Sequence, residues 1–209
     1  MKNKFNYLMG IMCLFASAVA NGQGSSVNPA DISGSPYLDD TYVDGVIYHT
    51  SKNQTVPIRY NAFQDLMEYK QNGKALVWDP STTIKKVSFG TSTFVVMKYE
   101  LNKKSKLGYL AVLDSGKVTL FSKKTITFIP AKKGGALDGS DQLAQFKRSP
   151  DVFFYKIEDG ALQEVENIKS LIASFPDKQE ELTRFAKKEK ISPRKEKEII
   201  QLVQYYNSL

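Results

Sequence analysis

The stretch VPIRYNAFQDLMEYKQNGKALVWDP, residues 56–80, gathers Tyr60, Asn61, Asp65, Glu68 and Trp78. Their side chains can hold a ligand by hydrogen bonding, charge and stacking. Nucleophilic or metal chemistry has far less to draw on. His49 is the sole histidine, in VIYHTSKN, and Cys13 is the sole cysteine. Zinc is ordinarily held by three or four Cys, His or carboxylate ligands, so one imidazole without a partner thiolate does not make a site. A serine triad would have to use His49, yet no Gly-x-Ser-x-Gly elbow accompanies it. Walker and Gly-x-Gly-x-x-Gly phosphate loops are absent from the sequence as well. His49 therefore reads as an edge residue at the end of a strand.

Carboxylates are the remaining route to catalysis or to a hard cation. LDDTYVD offers Asp39, Asp40 and Asp44, and LDGSDQ offers Asp138 and Asp141. Calcium takes six to eight oxygens and often uses short Asp-rich loops, but neither cluster has the twelve-residue spacing of an EF-hand. Both read as solvated turns. A glycosidase pair needs two carboxyls facing each other across about 5–10 Å, a relationship no spacing in the sequence specifies.

The elements that must position these residues begin after an export signal. Lys2 and Lys4 precede an apolar run from Leu8 to Val19 that closes on Ala18-Val19-Ala20, the pattern of a secretory signal peptide. Cleavage is expected after Ala20, which removes Cys13 and leaves a chain without disulfides or thiols. The run is short of the roughly twenty apolar residues a bilayer span requires. Met12 before Cys13 does not fit a lipidation site. Residues 21–36, NGQGSSVNPADISGSP, have the composition of a flexible leader. What remains is long enough to bury about 70% of its unfolded surface without staples.

From Tyr37 to Val165 short β-branched and aromatic runs alternate with turn signals, which predicts antiparallel β structure. Strands are expected at 42–49, 55–60, 66–70, 74–78, 84–89, 93–100, 107–114, 117–122, 125–130, 152–157 and 161–165. Asn72-Gly73, Ser115-Gly116 and Asp159-Gly160 mark hairpin turns. Tyr60, Met67, Tyr69 and Trp78 then read as core or cross-strand aromatics and neighbours. In LGYLAVL, 107–113, both parities are apolar, so this strand is expected at the sheet centre with both faces covered. The loop AKKGGALDGSDQ, 131–142, reads as a mobile or ligand-facing flap.

After Val165 the period changes to about 3.6. Asn167 is a predicted N-cap for a helix carrying Ile168, Leu171, Ile172 and Phe175. Leu182, Phe185 and Ala186 line a second helix. Ser192-Pro193 reads as N-cap and first position of a third, whose stripe is Ile199, Leu202, Val203 and Tyr206. The charges of these helices nearly balance, as on a solvated face.

The formal net charge is +7, and it is concentrated. Residues 101–150 hold Lys103, Lys104, Lys106, Lys117, Lys123, Lys124, Lys132, Lys133, Lys147 and Arg148 against Asp114, Asp138 and Asp141. Such a face could make weak contact with an anionic membrane surface or acidic glycan. Most of these lysines end apolar runs, so protection of strand edges and turns is the simpler reading. Nucleic acid is not an expected partner: Phe121 and Phe128 interleave at strand spacing and read as core rather than as stacking platforms.

The combination of GSPYLDDTYVDGVIY, VPIRYNAFQDLMEYKQNGK and the terminal LVQYYNSL resembles a group of uncharacterised exported proteins common in Bacteroidetes, from about Gly34 to Leu209. The resemblance implies a Gram-negative envelope setting and a β-rich body with a helical C-terminus, and it transfers no site residue.

The sequence thus predicts an α+β protein: signal peptide 1–20, leader 21–36, an antiparallel, twisted or partly barrelled sheet over 37–165, and two to three helices packed on it over 166–209. The expected function is a non-catalytic binding or protein-interaction module, exported to the periplasm or outer envelope, with no cofactor and no transmembrane segment. A periplasmic carrier enclosing an apolar ligand or lipid is the alternative, and a carboxylate hydrolase the third reading. Tyr60, Trp78, Lys103, Lys104 and Lys106 are the residues expected to face a ligand under these readings.

Overall fold

The computed structural model describes residues 32–81, 83–134 and 139–209. The expected signal peptide, 1–20, lies outside the described residues, as does the expected leader up to position 31. Twelve strands are followed by three helices: β1 (Val43–His49), β2 (Asn53–Asn61), β3 (Leu66–Gln71), β4 (Lys74–Trp78), β5 (Ile84–Phe89), β6 (Ser92–Leu101), β7 (Lys104–Asp114), β8 (Val118–Lys123), β9 (Ile126–Ile129), β10 (Gln145–Arg148), β11 (Val152–Ile157), β12 (Gln163–Glu164), α1 (Ile168–Ser174), α2 (Gln179–Lys188) and α3 (Glu196–Asn207). The chain is α+β.

Ten strands form one open sheet in the order β12-β11-β8-β7-β6-β5-β1-β2-β3-β4, and β9 pairs with β10 apart from it. The neighbouring pairs are antiparallel. Turn chemistry sets the hairpins. Asn72 and Gly73, between β3 and β4, have φ of 51° and 75°, and Asn102 and Lys103, between β6 and β7, have φ of 53° and 60°. Two successive positive φ values suit the right-handed twist of the flanking strands.

The sheet curls strongly. Five strand spacings separate β8 from β2, about 24 Å if flat, yet Lys123 Nζ on β8 donates to the Tyr60 hydroxyl on β2 at 3.0 Å. The inner face of the curl holds Ile47, Ile58, Tyr60, Met67, Val87, Phe94 and Tyr109, all nearly or fully buried. Strand β7 has both faces covered, as its sequence predicts: Tyr109 and Ala111 join this cluster, whereas Leu110 packs on the other side with Tyr99, Phe121 and Phe154.

The helices cover the β8 and β11 end of the sheet. Val118, Leu120, Phe153 and Tyr155 meet Leu171, Ile172, Phe175, Leu182, Ile199, Leu202, Val203 and Tyr206 in a single cluster. Burying each of the larger side chains contributes about 1.5–3 kcal/mol. Asn167 caps α1, accepting from the Ser170 amide at 2.8 Å. The start of α3 differs from the sequence expectation. Its N-cap is Lys195, not Ser192, because Ser192 to Lys195 close a separate turn in which the Lys195 amide donates to the Ser192 carbonyl at 3.3 Å. The Ser192 amide instead donates to Glu198 Oε2 at 2.8 Å. At its other end α3 is pinned to the β7–β8 turn. Asn207 Oδ1 accepts from the Val118 amide at 2.9 Å, and its Nδ2 donates to the Val118 carbonyl at 2.9 Å and to Asp114 at 2.8 Å. A Cβ at Gly116 would lie 2.5 Å from the Asn207 amide carbon, so glycine is what admits this contact.

Strand β10 (Gln145–Arg148) is not among the expected strands. Ordered structure also begins before Tyr37, since Ser33 bridges Gln145 and the Phe146 amide donates to the Ser33 carbonyl at 2.8 Å. The loop 131–142 has a paired stem, in which Lys132 and Gln142 exchange backbone hydrogen bonds of 2.8 Å, and its residues 135–138 lie outside the described residues.

Candidate functional site

Three charged networks tie the sheet together. In the first, Lys123 is buried at the end of β8. Its Nζ lies 2.6 Å from Asp65 Oδ1 and donates to the Tyr60 hydroxyl and, at 3.3 Å, to the Tyr109 carbonyl. Asp65 also accepts from the Tyr60 hydroxyl at 2.7 Å and from the Tyr109 amide at 3.2 Å. It sits in the β2–β3 turn with φ of 60°, a conformation Asp tolerates. Burial pushes the Lys123 ammonium below its ordinary value, and Asp65 only partly restores it. Burial and then Asp65 push the Tyr60 hydroxyl up.

The second network sits on the outer face of β2 and β3. Arg59 and Glu68 are cross-strand partners, and Arg59 Nε lies 3.0 Å from Glu68 Oε1. Glu68 also accepts from the Tyr37 hydroxyl at 2.7 Å and from the Tyr42 hydroxyl. The guanidinium is sandwiched between the Tyr37 ring at 3.6 Å and the Tyr42 ring at 4.4 Å. Burial alone would raise the Glu68 carboxyl, but hydrogen bonds from Tyr42, Tyr37 and Arg59 outweigh it and hold the group below its ordinary 4.5. In the third, Lys124 reaches Asp151 at 2.6 Å and also Glu196 at the start of α3.

All three consume their charges internally. Three members of the basic stretch, Lys123, Lys124 and Arg148, are therefore ion-paired rather than part of a free basic face. Lys103 stands in the β6–β7 turn and lines a cleft of about 790 Å³ together with Glu100, Glu164 and Glu166. Lys104 and Lys106 are exposed at the start of β7, opposite Leu101 and Tyr99.

Two openings lie at the ends of the curled half. Where β1 begins, Leu38, Val43, Arg59, Tyr60, Phe89 and Phe94 surround a recess of about 210 Å³. Tyr60 lines its floor but is only 1% exposed. Where β1 ends, a cleft of about 750 Å³ is lined by His49, Ser51, Lys52, Asn53, Gln54, Thr55, Val56, Pro57, Tyr69, Lys70, Gln71, Asn72 and Trp78. Trp78 stacks on Tyr69 with centroids 3.7 Å apart, and His49 meets Trp78 edge-on at 5.2 Å. The curl makes this aromatic group, since β1 and β4 are three strands apart in the sheet. Around it stand four carboxamides, a serine, a threonine and two lysines, with no carboxylate. Each carboxamide offers both donors and an acceptor.

The sequence-predicted candidates thus separate. Trp78 and His49 come together in the cleft, whereas Tyr60 belongs to the buried Lys123 network. Asp39 accepts from the Thr41 amide at 2.8 Å and Asp40 from the Ser35 hydroxyl, as turn residues do. Asp141 accepts from the Gly134 amide at 2.9 Å, and Asp138 lies outside the described residues. Among the described residues no three of His, Cys, Asp and Glu gather into a group able to hold a metal. No helix among them is long and apolar enough to cross a membrane.

Sequence reasoning missed Arg59 and Glu68 as a pair, although opposite charges facing each other across a hairpin are a readable signal once its register is set. No family model matches the chain, and neither a curated protein nor a solved structure matches it.

Proposed function

We propose that the protein is a non-catalytic binding module of the cell envelope whose ligand is an oligosaccharide, held in the cleft at the end of β1. One observation carries this reading: His49, Trp78 and Tyr69 form an aromatic group bordered by Asn53, Gln54, Gln71 and Asn72 in an open cleft. A sugar presents slightly positive C–H faces and a rim of hydroxyls that both donate and accept. The negative ring faces of aromatics suit the former, and carboxamides suit the latter. Lys52, in a lining that holds no carboxylate, extends the range to glycans bearing acidic groups, whereas the Lys70 ammonium lies over the Tyr42 ring at 4.4 Å.

The carrier reading has less support. The inner face of the curl is filled by its own aromatics, and the recess of about 210 Å³ falls below the roughly 300–1,000 Å³ usual for a ligand cavity. Export itself rests on the sequence pattern of residues 2–20, and a mature N-terminus at Asn21, read by mass spectrometry of the envelope fraction, is the expected product.

Trp78 is the only tryptophan, so its fluorescence reports on this cleft alone. Titration with a panel of neutral and acidic envelope oligosaccharides should change its intensity or emission maximum, and Gln54→Ala should weaken the response. A spectrum unmoved by the whole panel would overturn the oligosaccharide reading.

A further inference from the structure

A second surface, independent of the cleft, lies between α1 and α2. Ile168, Ile172, Ala186 and Ile191 form the floor of a groove of about 640 Å³, whose remaining lining is Thr183 and the three lysines Lys169, Lys187 and Lys190. Ile172 and Ala186 are buried at its base, while the three lysines are exposed. Among the described residues none of these lysines takes part in an ion pair, although Lys178, Lys188 and Lys195 on the same helical segment do. The near balance of charge along the helices is therefore not uniform in space: the groove carries cations of one sign over an aliphatic base.

We propose that this groove docks an acidic amphipathic peptide segment of a partner protein, with aliphatic side chains in the floor and carboxylates against the lysine rim. The three cations sit on different elements, at the start of α1, at the end of α2 and in the turn that follows. A single headgroup carboxylate would engage one of them, whereas a chain carrying several carboxylates engages all three. Shape argues for the same occupant. A helix that lies in a membrane interface projects its apolar side chains outward, but here the apolar atoms are recessed between two helices, as in grooves that receive side chains of a partner helix or strand. Peptide carboxylates also gain from the unpaired cations without breaking any existing ion pair.

The test uses the purified full chain, isotopically labelled, and a synthetic peptide alternating leucine with aspartate. Chemical-shift changes should fall on residues 168–191, and raising the salt concentration should weaken binding, because rim charges are solvent-screened. The triple variant Lys169→Glu, Lys187→Glu, Lys190→Glu alters only exposed side chains and should keep the native spectrum while weakening the peptide by about tenfold or more, each exposed pair contributing modestly. A peptide alternating leucine with serine should bind markedly less. Three results would each overturn the proposal: no shifts in 168–191, equal binding of the serine peptide, or groove shifts produced by anionic phospholipid vesicles and not by the acidic peptide.

Discussion

Lys123 on β8 and Asp65 in the β2–β3 turn hold the curl of the sheet shut, with Nζ and Oδ1 2.6 Å apart although their strands are remote in the sheet order. The two ends of this pair are unequally solvated: side-chain exposure is 6% for Lys123 and 24% for Asp65. Removing the partner that leaves the deeper charge uncompensated should therefore cost more. Asp65→Asn keeps the positive φ, which Asn also tolerates, and should cost about 3 kcal/mol because it strands a buried ammonium. Lys123→Met removes that charge and fills its volume, and should cost about 1 kcal/mol. Urea unfolding of both variants checks the order, and a larger loss for Lys123→Met would show that Asp65 is not the counterion that matters.

Alkaline pH should weaken the fold through its tyrosines. Burial, with Glu68 as the second influence, pushes Tyr42 up to about 12, and burial with Asp65 pushes Tyr99 up to about 12. Tyr37, Tyr60 and Tyr109 are raised further by the same causes. A hydroxyl whose folded pKa exceeds the ordinary 10.0 keeps its proton in the folded chain where the unfolded chain has lost it. Stability from these groups is thus fully present below pH 10 and falls as pH rises through 12. Lys123, lowered by burial, acts in the opposite sense below 10.5, but one amine opposes five phenols. Urea midpoints should drop above pH 10, and Tyr42→Phe should flatten that drop; an unchanged midpoint would contradict the raised values.

Strands were legible wherever alternation and a turn signal coincided. The sequence placed β3, β4, β5 and β11 to within a residue, and Asn72-Gly73 fixed a hairpin by local backbone preference alone. β10 was not legible because QFKR carries a single apolar side chain, Phe146, and exists as a strand by pairing with β9. Ser192-Pro193 misled because its preference for a helix start was outweighed by the bond from its own amide to Glu198. For the site, Trp78 could be picked out by type, but its meeting with His49 required the curl, and nothing local in a sequence specifies sheet curvature. Lys123 and Lys124, both buried and ion-paired, illustrate the same limit: they share a residue type with the solvated lysines of the same stretch, and only the tertiary position of an aspartate sets them apart.

The last helix supplies the strongest test of how the two layers depend on each other. Ile199, Leu202 and Val203 are 0% exposed against Val118, Leu120, Phe153 and Tyr155, and Asn207 satisfies both backbone groups of Val118. If α3 seals the core, Leu202→Ala should cost about 2–5 kcal/mol through lost burial and a residual cavity, which lowers Tm by roughly 2–4 °C for each kcal/mol in a chain of this size. Asn207→Ala should cost about 1–3 kcal/mol, since it leaves the Val118 amide and carbonyl without partners at a buried strand start. Deleting the chain from Ser192 onward should then unfold the sheet as well as the helices, because the β8 and β11 face would open to water. Thermal melts of the three variants separate the alternatives. A Tm unchanged by Leu202→Ala would mean that α3 is a docked appendage available to a partner. A graded loss, largest for the deletion and smallest for Asn207→Ala, would mean that sheet and helices form one cooperative unit, with the α1–α2 groove and the aromatic cleft as its two outward-facing surfaces.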